Sequence, residues 1–359
     1  MRASSAGCPS SLAQRRTSTA RLGSTWAKAT ARPRPRAISG TSRAATPATS
    51  RASSSGMRTT AANPVGVHPS VPAGLGPVNV LDRPYEGPTL GAMSGEARRI
   101  RLVLHYDGRG FYGWQLQPRR RTVQGELEAA LARLLQRPCR VRSAGRTDRG
   151  VHALGQVATV DVPPRWDAAT LRRALNAVLP EDLWVAAADE VPPSFHPRFD
   201  AIARSYRYRI GTVEEAHSPL VRFWCWPLAR SLDLARLRSL AADLLGEHDF
   251  SSLARPAPDD PHDHRCVVVQ ADWCPWPPYG VELRITANRF LHHMVRYLVG
   301  TAVAIALGQR RTEDWEALLR ATPGLVTSPP APAQGLILTR VYYPGDLVPG
   351  RAELLPTPP

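Results

Sequence analysis

Seven segments of the chain combine alternating apolar and polar positions with the residue types that strands favour. Successive side chains of a strand point to opposite faces of a sheet, so a period of two predicts half-buried strands. The first of these segments begins at residue 100, and a shorter strand-like run covers residues 139–142. The predicted strands are residues 100–106, 156–162, 183–191, 204–210, 267–273, 281–287 and 336–341.

Apolar residues at intervals of three and four predict five helices between these strands. The fourth is expected to run from Arg289 to Leu307 and to be the longest, and Gly246 is expected to end the third. Residues with capping side chains mark most of the expected starts. The helices begin near Thr122, Asp167, Asp233, Arg289 and Thr312.

The order of the first elements is strand, helix, strand, strand, helix, strand, which is the split βαβ arrangement. The second half of the chain again alternates strands and helices over a similar length. We therefore predict an α+β fold of two related ferredoxin-like halves, residues 96–200 and 201–345. Their antiparallel sheets are expected to meet at a central basic cleft.

Residues 1–95 are rich in Ser, Ala, Thr, Arg and Pro and have no sustained periodicity. Such a segment buries too little apolar surface to offset its chain entropy, so we predict disorder there, and also in a tail at 346–359. Two explanations stay open for the N-terminal extension. A start assigned too early, with Met57 or Met93 as the true start, is favoured over an organellar transit peptide, because several prolines spoil an amphipathic helix.

The formal net charge of +16 is unevenly distributed along the 359 residues. The first 81 residues contain no acid and carry +11 of it, so the remaining chain has an excess of only +5. That excess permits a polyanionic partner without demanding one. Five cysteines without a Cys-x-x-Cys pair, and no apolar run of membrane length, favour a protein of the cytoplasm that spans no membrane.

The loop from Gly145 to Ala153 contains the strongest candidate for chemistry. Its one carboxylate, Asp148, stands among three arginines, Arg142, Arg146 and Arg149. An ionised Asp on a loop between strands is a candidate nucleophile or base. A turn-forming Asp that pairs with a surface arginine is the commoner meaning of an isolated Arg-Thr-Asp, so the loop alone leaves both readings open.

A glycine pattern, Gly108-x-Gly110-x-x-Gly113, follows the first predicted strand and matches the dinucleotide-binding motif. That motif requires a helix to open at its third glycine, where the helix N-terminus meets a pyrophosphate. Here Trp114-Gln115-Leu116-Gln117-Pro118 and three arginines follow instead. We therefore reject a nucleotide-binding oxidoreductase.

Two further segments offer polar groups that a scaffold does not need. The strand at 204–210 places Arg204, Tyr206 and Tyr208 on one face. The fourth helix is expected to align a cationic stripe at positions i, i+3, i+4 and i+7. Its members are Arg289, His292, His293 and Arg296.

A cationic stripe on an apolar helix is either a solvated face or a contact to an anion. Metal binding is the disfavoured alternative, because adjacent histidines on a helix point about 100 degrees apart and do not converge. We therefore expect no metal at His292 and His293.

The loop resembles the signature of the TruA family of tRNA pseudouridine synthases. Further segments similar to that family follow in the same order, and the resemblance spans about residues 99–345. They are Tyr106-Asp107-Gly108 with Tyr112-Gly113-Trp114-Gln115, Phe195-His196-Pro197-Arg198-Phe199, Arg204-Ser205-Tyr206-Arg207-Tyr208, Asn288 to Arg296, and Gly335-Leu336-x-Leu338.

The resemblance implies an enzyme that isomerises uridine to pseudouridine in the anticodon stem-loop of tRNA, expected at tRNA positions 38–40. Asp148 would be the nucleophile, attacking either the uracil ring or the ribose. Arg146 would pair with Asp148 and help hold the target nucleotide out of the stack. Tyr206 would pack on the flipped base and could serve in proton transfer from C5.

The same resemblance implies further properties of site and assembly. Substrate contacts would come from Tyr206 together with Arg296, Arg204, Arg289 and His292. No cofactor or metal is required, since no redox change or group transfer occurs. The partners would be the anticodon arm of tRNA and a second copy of the chain.

One segment departs from the family. After Ser251-Ser252 the chain has an acidic, Pro-rich stretch at 256–265, where the family usually has a short basic run. The role of this loop in tRNA contact is therefore in doubt. A non-catalytic RNA-binding module with the same fold is the alternative function. The carboxylate of Asp148, which repels phosphate, favours the enzyme.

Overall fold

A single sheet of ten strands organises the part of the chain that the computed structural model describes, residues 97–255 and 264–355. The strands are β1 Arg98–Tyr106, β2 Arg142–Ser143, β3 His152–Val162, β4 Leu183–Val191, β5 Ala203–Gly211, β6 Trp226–Pro227, β7 Gly246–Asp249, β8 Arg265–Trp276, β9 Gly280–Ala287 and β10 Leu336–Tyr342. The α-helices are α1 Val123–Leu135, α2 Ala168–Val178, α3 Leu234–Ala242, α4 Met294–Ala306 and α5 Glu313–Leu319.

The strands follow the order β4-β1-β3-β10-β5-β9-β8-β7, with β2 paired to β3 and β6 to β5. The main path is antiparallel except where β10 runs parallel to β3, with Ile337 opposite His152 and Leu338 opposite Ala153. The α+β class is thus confirmed. The two expected antiparallel sheets are continuous here, because β10, the last strand, lies between the two halves of the sheet.

Two hydrophobic cores lie against this sheet. The N-terminal core packs α1 and α2 on β1, β3 and β4 around residues such as Leu102, Leu127 and Leu171. The C-terminal core packs α3, α4 and α5 on β5, β8 and β9. Val151, from the loop before β3, is buried in the C-terminal core, and Tyr206 packs against both. The candidate loop is therefore anchored where the two cores meet.

The predicted helix starts at Thr122, Asp167 and Asp233 are confirmed. Each side chain accepts a hydrogen bond from the backbone N–H three residues later, which satisfies one of the donors left open at a helix N-terminus. The seven longer predicted strands are also confirmed within a few residues at their ends. Helix capping and the alternation of apolar and polar residues in strands depend on neighbours in sequence, so both can be predicted from the sequence.

Two predicted helix boundaries are wrong. Helix α4 begins at Met294 and not at Arg289, because His293 adopts a left-handed conformation with φ of 63°, which breaks the helical backbone. At 13 residues it shares with α1 the greatest length among the described α-helices, and it is shorter than predicted. Helix α3 ends at Ala242, and Gly246 opens strand β7, which the sequence did not predict. Of the run at 139–142, only Arg142 belongs to a strand.

Residues 346–355 belong to the predicted disordered tail, and the structure describes contacts for them. The backbone N–H of Arg351 donates to Val269 O on β8 at 2.8 Å, and a 3₁₀ turn covers Ala352–Leu354. The predictions for residues 1–95, for 256–263 and for the last four residues lie outside the described residues. No helix in the described part of the chain is long and apolar enough to cross a membrane.

Candidate active site

Backbone and side-chain contacts on both sides of Asp148 fix its position in the loop between β2 and β3. The preceding residue, Thr147, is buried, accepts a hydrogen bond from Trp114 N–H at 3.0 Å, and shares a 2.8 Å hydrogen bond with the Tyr106 hydroxyl. The following turn is closed by Val151 N–H, which donates to Asp148 O at 3.2 Å. The loop therefore presents Asp148 from a rigid support.

Two glycines of the pattern at 108–113 allow the backbone to pack closely against the loop that carries Asp148. A Cβ on Gly113, where φ is 87°, would lie 2.6 Å from Thr147 O. A Cβ on Gly108 would lie 2.2 Å from Val151 O. Contacts this short do not occur with a real Cβ, so both positions require glycine for close approach of two backbones. These glycines pack against the loop that carries Asp148, which gives them a purpose unrelated to a dinucleotide.

Three basic side chains surround the carboxylate of Asp148, which is 20% exposed. His292 Nε2 lies 3.4 Å from Oδ1, and His293 Nε2 lies 3.2 Å from Oδ2. Arg296 Nη1 lies 3.4 Å from Oδ2. The prediction that the two histidines diverge is wrong, because both precede α4 and the left-handed backbone of His293 turns their rings to the same carboxylate.

The charge beside the carboxylate comes chiefly from Arg296. Burial lowers the pKa of His293, and the neighbouring Asp148 carboxylate only partly opposes that shift. Arg296 also donates from Nε to Ala331 O at 2.8 Å. This second hydrogen bond fixes the guanidinium beside Asp148. The sequence missed His293 as a site residue, since it was expected on a regular helix.

Arg146 does not pair with Asp148, although that pairing was expected. Its side chain is exposed and has no hydrogen bond or ion pair among the described residues. The neighbouring Arg149 instead lies over the ring of Tyr112, 4.3 Å from its centroid. Arg146 is therefore an exposed guanidinium whose donors no other described residue occupies.

Tyr206 lies on β5 at the junction of the two cores. Its ring meets Phe290 edge-on at 5.0 Å between centroids, and no hydrogen bond to its hydroxyl exists among the described residues. Burial raises the pKa of Tyr206 well above its usual value of 10, and the nearby Tyr106 and Asp148 add to that shift. The residue is therefore a neutral phenol beside the carboxylate.

The two other predicted arginines differ in their surroundings. The Arg289 side chain has no hydrogen bond or ion pair among the described residues, and its backbone N–H donates to Asn288 Oδ1. The Arg204 guanidinium is largely buried, and burial lowers its pKa. Arg204 donates to the backbone carbonyls of Ala201, Asn288, Ala144 and Arg198. It links the start of the loop at Ala144 to two other segments, residues 198–201 and Asn288. Its contact with substrate stays a prediction.

A second Asp-His-Arg cluster, which the sequence did not single out, lies at the support loop. Asp107 Oδ1 accepts from the backbone N–H and Nε of Arg109, at 3.1 and 3.0 Å. His152, only 2% exposed, has its Nδ1 3.3 Å from Asp107 Oδ1. Gly108 N–H donates to that Nδ1 at 3.1 Å, and Nε2 donates to Phe223 O at 3.0 Å. Both ring nitrogens of His152 are thus occupied.

The chain is similar to proteins that modify tRNA. A family model described as "tRNA pseudouridine synthase" matches residues 102–200 and 240–344. The tRNA pseudouridine synthase A of Geobacter sp. (strain M21) is 39% identical over 248 residues, covering 69% of this chain and 99% of that protein. Its counterpart in Geobacter sulfurreducens is 41% identical over 249 residues, 68% of this chain and 100% of that protein. The Chlorobium luteolum protein of the same name is 42% identical, covering 69% and 97%.

Proposed function

This chain belongs to the tRNA pseudouridine synthase family, and we propose that it converts uridine to pseudouridine in the anticodon stem-loop of tRNA, with Asp148 as nucleophile. The observation that carries the proposal is the carboxylate of Asp148. It is solvent-accessible, lies where the two cores meet, and is held beside the fixed guanidinium of Arg296 at 3.4 Å. A purely structural Asp would be expected to have its lone pairs satisfied by backbone donors.

The proposed reaction is an internal exchange of bonds. The bond from uracil N1 to ribose C1′ breaks, the base turns, and a bond from uracil C5 to C1′ forms. C5 loses its proton and N1 takes up a proton in its place. Asp148 would attack either the ring or the ribose to start this exchange. Atoms and electrons balance without an oxidant or a transferred group, so the proposal requires no cofactor.

A stacked base hides its reactive atoms, so we propose that the target uridine is flipped out of the helix. Arg146 supports this step, because its exposed guanidinium is free to occupy the space the base leaves or to bind the flanking phosphate. His292 lies beside the same carboxylate, and the Arg289 side chain has no hydrogen bond or ion pair among the described residues. Both would contact the RNA backbone. Binding through arginines and phosphates weakens as salt rises.

Tyr206 would pack against the flipped uracil. Its raised pKa makes a phenolate costly, which argues against a standing general base. We therefore propose packing as its first role. The C5 proton would pass through Tyr206 only while the charge of Asp148 is taken up in a covalent adduct.

We further propose that the enzyme acts as a homodimer on its tRNA in the cytoplasm. Leu220 is 85% exposed and Phe223 is 37% exposed, close to the half-buried Trp224. These side chains offer an apolar surface for a second copy. Sedimentation of the full chain, compared with Leu220→Asp, tests the assembly, and a wild-type monomer at micromolar concentration would contradict it.

Tritium release from tRNA labelled at uracil C5 tests the reaction. Wild type should release tritium, Asp148→Asn should not, and the matched surface variant Asp189→Asn should behave as wild type. Asp189 pairs with Arg101 at 3.1 Å, away from the loop. Tight tRNA binding by wild type without any release would support the RNA-binding module instead.

A further inference from the structure

Two histidine nitrogens lie close enough to the Asp148 carboxylate to share one metal ion with it. A Zn²⁺ ion binds histidine nitrogen and carboxylate oxygen at about 2.0–2.2 Å, so two ligands at a tetrahedral angle stand about 3.3 Å apart. His292 Nε2 and His293 Nε2 lie 3.4 and 3.2 Å from the two oxygens of Asp148. All three ligand groups offer atoms within 4.8 Å of one another.

We propose that Asp148, His292 and His293 bind a Zn²⁺ ion through the Asp148 carboxylate and two imidazole nitrogens, and that the bound ion inhibits the enzyme. Two histidines and one carboxylate are a ligand set that catalytic zinc sites use, with a fourth position left to water. The inference goes against the expectation from sequence, which assumed that the histidines point apart. The inhibition rests on the proposed function, whereas the binding does not.

The surroundings permit access to this site. The side chain of His292 is 51% exposed, so an ion can reach the three ligands from solvent. Neither histidine has a hydrogen bond on its ring among the described residues, so both rings can turn a nitrogen toward the ion. His293 is held at its backbone by the left-handed conformation before α4. Closure of the site therefore needs only side-chain rotation at His292.

Two features weaken the binding relative to a dedicated zinc enzyme. Arg296 lies 3.4 Å from Asp148 Oδ2, and its positive charge repels a cation. The rings also lack the hydrogen-bonded partners that orient zinc-binding histidines, and loss of such partners costs about 10–100-fold in affinity. Because of both features, we expect Zn²⁺ to bind reversibly and a chelator to remove it.

Binding of Zn²⁺ would remove the nucleophile from the reaction. A carboxylate whose lone pair is donated to the metal is a weaker nucleophile for attack on uridine. The ion also lies in front of the carboxylate, where the substrate must approach. Metal-free enzyme is therefore the active form, and zinc acts as an inhibitor that competes with tRNA.

Calorimetric titration of the metal-free full chain with Zn²⁺ alone tests the site. Wild type should bind one ion that the double variant His292→Ala/His293→Ala loses, with at least about tenfold weaker affinity for each single variant. His217→Ala is the matched control, because His217 is exposed and its side chain has no hydrogen bond or ion pair among the described residues. Equal zinc binding by wild type and the double variant would overturn the proposal.

Activity in the presence of zinc forms a separate arm. Tritium release by wild type should fall as Zn²⁺ is added and return with a chelator, and His217→Ala should respond identically. Saturation of the calorimetric site without loss of release would overturn the inhibitory role. If metal-free wild type releases no tritium at all, the proposed function fails, while the calorimetric result still decides the metal site.

Discussion

Two clusters of Asp, His and Arg side chains lie on either side of the same loop, and they differ in how completely their members are hydrogen-bonded. At Asp107, both nitrogens of His152 are occupied by the backbone, and Arg109 holds the carboxylate at 3.0 Å. At Asp148, the rings of His292 and His293 lie against the carboxylate and neighbouring rings and have no hydrogen bond to another described residue. The same residue types therefore form a saturated cluster in one place and an open cluster in the other.

Saturation distinguishes a structural role from a chemical one. A buried polar group with all its partners stabilises the fold, and it has no donor or acceptor left for a substrate. The cluster at Asp107 joins the support loop to the segment that contains Phe223, and the cluster at Asp148 faces solvent. We expect changes at the first to alter stability and changes at the second to alter turnover.

The largest effect separates the two aspartates. Asp148→Asn should lower kcat by about 10⁴-fold or more, as removal of a nucleophile does, with little change in the melting temperature. Asp107→Asn should lower the free energy of unfolding by about 1.5–3 kcal/mol, because it weakens hydrogen bonds to a charged group. Single-turnover kinetics and urea denaturation measure both quantities. Loss of stability without loss of turnover in Asp148→Asn would reverse the assignment of the clusters.

The sequence predicted the parts of this arrangement that local chemistry determines. The charged loop made Asp148 a candidate, which the family resemblance then favoured as the nucleophile, and Thr122, Asp167 and Asp233 were correctly predicted as helix caps. These features depend on neighbours in sequence. The alternation of apolar and polar residues likewise predicted the position of each long strand.

The parts that the sequence missed depend on distant contacts or on a single backbone angle. The left-handed conformation of His293 cannot be derived from apolar periodicity, and it converts an expected helical stripe into a cluster. The buried state of His152 depends on Phe223, 71 residues away. The purpose of Gly113 depends on Thr147, whose carbonyl it approaches in space. The parallel pairing of β10 with β3 joins segments from opposite ends of the fold.

The second prediction concerns Gly113, whose close approach to Thr147 supports the loop that carries Asp148. Gly113→Ala forces a Cβ to within 2.6 Å of Thr147 O at a φ of 87°. We expect a loss of about 2–4 kcal/mol in the free energy of unfolding. The shifted loop should also lower kcat about 100-fold, since small misplacements of reacting groups are costly.

A matched glycine provides the control. Gly145 lies in the loop of Asp148 itself, and a Cβ there meets nothing within 4 Å. Gly145→Ala should therefore change the free energy of unfolding by no more than about 0.5 kcal/mol. Urea denaturation and tritium release on both variants make the measurement. Equal effects of the two substitutions would show that the close approach of Gly113 does not position Asp148.

The third prediction compares the two arginines. Arg296 contacts Asp148 and Ala331 O from one planar group, which a lysine cannot do. Arg296→Lys should lower kcat/KM about tenfold, since one hydrogen bond of about 1.5 kcal/mol is lost. Arg109→Lys, which keeps a charge beside Asp107, should leave kcat/KM within about twofold. The opposite ranking of these two variants would contradict the division between the clusters.

The smallest effect is a pH dependence of stability from His152. Burial lowers its pKa below the usual 6.5, and Asp107, which faces the ring, opposes that shift only in part while Arg109 adds to it. Between the folded and unfolded pKa values the unfolded chain binds more protons. The contribution of neutral His152 to the free energy of unfolding is therefore complete above pH 6.5 and is lost as the pH falls below that value.

Wild type should lose stability between pH 7.5 and 5.5 more steeply than His152→Gln, by at most about 1.4 kcal/mol for each unit of pKa difference. Urea denaturation across this range measures the slope. The free energies of unfolding of the two proteins should differ by a constant between pH 7.5 and 9, where His152 is neutral in both the folded and the unfolded state. That constant measures the change in packing and can be subtracted from the pH effect. Parallel curves below pH 6.5 as well would mean that Asp107 holds a proton on His152 in the folded protein. The cluster would then be an ion pair, and the contrast with Asp148 would rest on burial alone.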